Sequence, residues 1–131
     1  MRITPERITH LEQNHIFVYG SNESGIHGAG AAKTALMWGA MWGVPEGLCG
    51  STYAIPTKDK TVIKTLSVNE IKYYVDRFID FAKQNPNLIF MVTEIGCGLA
   101  GHSPNDIAPL FQRAKHIENI YLPKKFWDKI I

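Results

Sequence analysis

Apolar positions along the chain fall either in short unbroken runs or at helical spacing, and the two patterns alternate. Ile16–Tyr19 is an unbroken run closed by Gly20-Ser21-Asn22, which predicts a buried strand stopped by turn residues. From Gly28 to Ala40 small residues dominate (Ala29, Ala31, Ala32, Ala35), with Leu36 among them. This stretch predicts a helix lying close on its sheet, because alanine and glycine let backbones approach, with Gly43 and Pro45 ending it. Ser51–Pro56 predicts a second short strand, closing in Thr57-Lys58-Asp59.

The best-marked element begins at Ser67. Ser67 and Glu70 have capping-box spacing, and Leu66 and Ile71 occupy the hydrophobic-staple positions. Ile71, Tyr74, Val75, Phe78, Ile79 and Ala82 then give one apolar helical face, broken at Asn85-Pro86-Asn87. Leu88–Thr93 predicts a strand buried on both faces. Ser103 is the expected N-cap of a further helix, with Pro104 at its first position and Asp106 in its first turn. Ile107, Leu110, Phe111 and Ala114 supply its buried stripe. Asn119–Leu122 reads as a last strand and Pro123–Ile131 as a terminal helix or tail. The alternation predicts an α/β fold, a sheet with helices on both faces.

Composition narrows the class. The 131 residues fit one domain, 1–131, and can bury a core without disulfide or metal staples. Apolar residues make up 45% and charged residues 20%, with a net charge of +2 spread along the chain. That balance argues against a dedicated nucleic-acid or membrane surface; the small-molecule partner expected of this chain rests instead on its two glycine-rich loops. The N-terminus is polar, and no apolar run is long enough to span a bilayer. Cys49 and Cys97 form no C-x-x-C pair, and the expected compartment is the cytoplasm.

In open α/β sheets ligands bind beyond the carboxyl ends of the strands, and two glycine-rich loops are expected there. The first carries Gly20, Ser21, Asn22, Gly25, His27, Gly28, Ala29, Gly30, Ala31 and Ala32. The second carries Gly96, Cys97, Gly98, Leu99, Ala100, Gly101 and His102. Glycines bring main-chain N–H groups close to an anion, and a helix following each loop adds partial positive charge. The second loop matches G-x-G-x-x-G, but too little chain follows for a dinucleotide-binding unit and the helix starts after the motif. The first lacks the Gly-Lys-Ser/Thr ending of a P-loop.

Few polar side chains accompany these loops. Asn22 suits either a ribose or water contact or a plain turn role. His27 between glycines is expected to face a ligand, as an acid/base or phosphate contact. Asp59 is an ion-pair partner for Lys58 or an acid, Glu94 a ligand contact or a partner for Lys58, and Asp106 a helix cap. His102 either packs on Ile107 or touches ligand. Cys97 either fills a tight loop as a small residue, its usual reading, or has its pKa lowered by an anion-friendly setting. No spacing of histidine and cysteine suits a metal, no G-x-S-x-G elbow is present, and no cofactor is expected.

These loops resemble those of the macro-domain superfamily, whose members bind ADP-ribose and related nucleotides. Ile16–Asn22 is similar to that family's strand ending in asparagine, and Gly25–Ala32 to its first phosphate loop. Glu94–His102 resembles the second loop, with Asp106–Ala114 in the place of the following helix, and Ile8-Thr9-His10-Leu11 resembles the segment before the first motif. The resemblance covers most of the chain in element order, with the shared residues mainly in the loops. It implies a three-layer α/β/α sandwich around a mixed, mostly parallel sheet, as in a compact, divergent bacterial or phage-type member. Gly28–Ala32 and Gly96–Leu99 would hold a diphosphate, and Asn22 would face the distal ribose. Where the family reads adenine with an aspartate before Ile-Thr, this chain has Arg7, which cannot accept that hydrogen bond. Three functions follow as expectations. The first is binding of ADP-ribose or an analogue. The second is hydrolysis of an ADP-ribosylated macromolecule or ester, with Asn22 positioning water and His27 or Asp59 assisting proton transfer. The third is an interaction protein with a degenerate pocket, for whose partner surface Trp38, Trp42 and Trp127 are the candidates, core packing being their commoner use.

Overall fold

The structure, a computed structural model, describes residues 2–130. Met1 and Ile131, the latter closing the expected Pro123–Ile131 element, lie outside the described residues. Six strands form one sheet: β1 (Ile3–Thr4), β2 (His15–Asn22), β3 (Gly47–Cys49), β4 (Thr52–Lys58), β5 (Ile89–Val92) and β6 (Ile120–Pro123). Their order is β1-β6-β5-β2-β4-β3. Every neighbouring pair is parallel except β3 on β4.

The period-two alternation of β2 assigns its apolar run to two cores. Ile16 and Val18 face one side and join α2 (Val68–Gln84), the 3-10 segment Ala108–His116 and α4 (Lys124–Trp127). Phe17 and Tyr19 face the other and meet α1 (Gly30–Ala35) through Ala32 and Ala35. The sheet therefore carries helical segments on both faces, in the layering expected from the alternating pattern.

Helix α2 starts where the capping box predicts. The Glu70 N–H donates to Ser67 Oγ at 3.2 Å, and the Ser67 N–H donates to Glu70 Oε1 at 3.0 Å. Leu66 and Ile71 are both buried, as a staple requires. The apolar face locks onto the sheet through edge-on rings, Phe78 and Phe90 at 5.4 Å and Tyr53 and Phe78 at 5.1 Å.

Three local expectations are corrected, and two strands are added to those expected. Gly20–Asn22 do not end the strand; they continue β2, held by parallel pairing up to Asn22 opposite Lys58. The helix foreseen over Gly28–Ala40 is α1 followed by a 3-10 turn, Leu36–Trp38, and it stops at Gly39 rather than at Gly43 or Pro45. Gly39 has φ of +105°, and its Cα crosses the Gly50 backbone so closely that a Cβ there would lie 2.9 Å from Gly50 Cα. The helix foreseen over Asp106–Ala114 is one α turn, α3 (Pro104–Ile107), then the 3-10 segment. Pro109 has no N–H to return to the Asn105 carbonyl, which breaks the α pattern. Strands β1 and β3 were not foreseen, because two or three residues are too few to show a period.

Candidate functional site

Strands β2, β4 and β5 end side by side, and both glycine loops leave from that edge. Between them lies a cleft of about 480 Å³. From the first loop it is lined by Gly20, Ser21, Asn22 and the stretch Gly28–Ala32; from the second, by Gly96, Gly98, Leu99 and Ala100. Thr57, Lys58 and Val62 form a third side. The loops approach closely: a Cβ on Gly20 would lie 3.6 Å from the Gly96 N, and one on Gly30 would lie 3.4 Å from Leu99 Cδ1. At Gly28 and Gly98 a Cβ would meet nothing within 4 Å, so there the bare main chain fronts open space.

Asn22 is buried and clamps its own loop. Its Oδ1 accepts the Ile26 N–H at 3.0 Å, and its Nδ2 donates to the Ile26 carbonyl at 2.8 Å. The turn role is thus filled, with the side chain at the cleft wall. Ser21 donates to the Pro45 carbonyl, and Thr57 Oγ1 donates to the Ser21 carbonyl at 3.2 Å, fixing β4 against β2 at the cleft floor.

Six of the residues singled out from the sequence lie outside the cleft lining: Gly25, His27, Asp59, Cys97, Gly101 and His102. His27, expected to be accessible between its glycines, is only 1% exposed. Its Nε2 lies 2.9 Å from the Tyr19 hydroxyl and its ring sits edge-on to Trp42, so it fills the α1-side core. The His102 Nε2 donates to the Leu66 carbonyl at 2.9 Å, tying the second loop to the start of α2. Asp59 does not pair with Lys58. Its carboxylate accepts the Thr61 hydroxyl and the Thr61 N–H, bonds that hold it below the usual carboxylate range.

Cys97 takes the small-residue role and not the lowered pKa. Burial, then the Glu94 and Asp106 carboxylates, push the thiol up to about 11, so it packs as a small apolar group. Both cysteines are free thiols. Trp38 and Trp127 are half-buried rather than exposed; Trp38 tilts against Phe17 at 4.9 Å and the Trp127 Nε1–H donates to the Arg2 carbonyl at 2.7 Å. Trp42 is exposed.

Two titratable side chains line the cleft, Lys58 and Glu94. Glu94 pairs with Lys125 at 3.8 Å, not with Lys58. Among the described residues Lys58 is half-buried and makes no salt bridge, and it is the cation of the lining. Sequence reasoning treated it as an ion-pair partner; its place at the carboxyl end of a buried strand was the available signal. The short length of α1, six residues, leaves its dipole a smaller part than the sequence suggested. A second cavity of about 740 Å³ adjoins the cleft across Ala31, Thr93 and Glu94, with Phe17 and Trp38 in its wall and Arg7 at its margin.

Comparison with protein-family models, curated proteins and solved structures gives no match to this chain.

Proposed function

We propose that the cleft binds a phosphate-bearing, nucleotide-like ligand, ADP-ribose or an analogue, in the manner of the macro domains whose loops this chain resembles. The observation that carries the reading is Lys58, a cation without a carboxylate partner among the described residues, between two glycine loops whose main chain opens onto the same space. Anions are held by such bare main-chain N–H groups together with one positive charge. The adjoining cavity gives room for the rest of a nucleotide. Arg7 at its margin favours a group that accepts hydrogen bonds over the amino edge of adenine. Isothermal titration with ADP-ribose, NAD and inorganic pyrophosphate tests the reading. Binding is expected, weakened about tenfold or more in Lys58→Ala, in line with loss of a charged hydrogen bond. No heat at millimolar ligand sinks it.

Hydrolysis of an ADP-ribosylated macromolecule or ester is the second reading, favoured by one observation. Glu94 and Lys58 are the titratable groups at the cleft, whereas His27 and Asp59 are engaged elsewhere. Proton transfer would then fall to Glu94 and Lys58 rather than to the residues expected from the sequence. Turnover of an ADP-ribosyl ester should vanish in Glu94→Gln and persist in Asp59→Asn; the reverse result removes this assignment.

A further inference from the structure

The strongest unexplained feature beside the cleft is Val62. It has φ of +68°, the left-handed region that a β-branched residue avoids because its side chain crowds the backbone. Such a conformation persists only where the surroundings over-determine it, and these do. The Val62 N–H donates to the Asp59 carbonyl at 3.0 Å, and the Asp59 N–H donates to the Lys64 carbonyl at 2.9 Å. Thr61 Oγ1 accepts the N–H groups of Ile63 and Lys64 at 3.3 and 3.4 Å.

The turn that holds Val62 is itself tied to both glycine loops. On one side the Glu23 N–H donates to the Lys58 carbonyl at 2.9 Å and the Ser24 hydroxyl donates to the Lys60 carbonyl. On the other the Thr65 hydroxyl donates to the Ala100 carbonyl at 2.6 Å. None of these bonds uses the Val62 side chain. Glycine or asparagine at 62 would keep the whole network and relieve the strain. What valine adds is an apolar surface in the cleft wall, while its neighbour Ile63 is left 87% exposed.

Three more branched aliphatic residues line the same cleft: Ile95, which is buried, and the exposed Ile26 from the first loop and Leu99 from the second. The floor is polar, with Asn22, Thr57 and Lys58 in it, and the bare main chain at Gly28 and Gly98 opens onto the same space. We propose that Val62 is a specificity-determining residue, completing with Ile26 and Leu99 an apolar collar that selects phosphate esters of an organic group, such as a nucleoside diphosphate sugar, over inorganic phosphates. The proposal rests on the reading of the cleft as a phosphate site. The collar packs on the carbon skeleton, a sugar face or a heteroaromatic ring, while the floor takes the phosphates.

Isothermal titration of the full chain with ADP-ribose and with inorganic pyrophosphate, joined to thermal melts, tests this in Val62→Gly and Val62→Asn. Loss of the isopropyl surface should weaken ADP-ribose about five- to tenfold, leave pyrophosphate within about twofold, and leave Tm equal to or above the parent's. The proposal is overturned if either variant binds ADP-ribose as tightly as the parent. It is equally overturned if pyrophosphate affinity falls in the same proportion, or if both variants melt lower, since Val62 would then be a structural residue. A parent that binds pyrophosphate but not ADP-ribose also overturns it while sparing the phosphate site. A parent that binds neither removes the reading of the cleft and this proposal with it.

Discussion

Asn22 shows how one side chain at a strand end sets a loop. Its amide satisfies both the N–H and the carbonyl of Ile26, and its own carbonyl accepts the Gly25 N–H at 3.0 Å. The first loop is thereby folded back on β2 before it reaches the cleft. Asn22→Ala leaves both Ile26 main-chain groups without the partner of two part-buried hydrogen bonds. A loss of about 1–3 kcal/mol is expected from urea denaturation. A midpoint unchanged from the parent would show that Ile26 finds other partners and that the clamp does not define the loop. The sequence allowed either a turn or a ligand role for this residue; the reciprocal bonds to Ile26 settle the turn role as a fact of geometry.

At the scale of elements, α2 was the most legible part of the chain and the extent of α1 the least. Its signals are local: Ser67 and Glu70 are three residues apart, and the apolar stripe repeats at the helical period. Ser67→Ala removes the acceptor for the Glu70 N–H and should cost about 1 kcal/mol in chemical denaturation, with the fold retained. An effect below a few tenths of a kcal/mol would mean that packing of the Phe78 face alone fixes where the helix begins. By contrast, the bounds of α1 depend on Gly39 crossing Gly50, eleven residues away, and no local pattern reports that contact.

At the scale of the molecule, two layers of buried aromatic rings make stability sensitive to alkali. Burial pushes the Tyr19 phenol up to about 12, with a further contribution from Cys49, and burial followed by the Glu46 carboxylate does the same for Tyr53. A phenol raised from its ordinary value of 10 ionises more easily in the unfolded chain. The stability contributed by these two phenols is therefore complete below about pH 10 and falls as pH rises from there through about 12. Urea midpoints measured from pH 8 upward should be level and then decline across that window, and Tyr53→Phe should decline less steeply. A flat profile to pH 12 would show that the two phenols reach solvent in the folded state.

The sequence by itself determined the α/β alternation, the capping and buried face of α2, and the placement of both glycine loops after strands. Each of these is written in neighbouring residues, as a period, a cap or a run of small side chains. Tertiary structure alone decided which polar groups meet at the cleft. His27 turns inward because Tyr19 offers a partner at 2.9 Å, and Asp59 is taken up by Thr61. Lys58 is left in the lining, and Val62 is held left-handed by bonds that run to both loops. In irregular segments the direction of a side chain is set by contacts distant in sequence, and that is why the loops could be found in the sequence while the groups that furnish them could not.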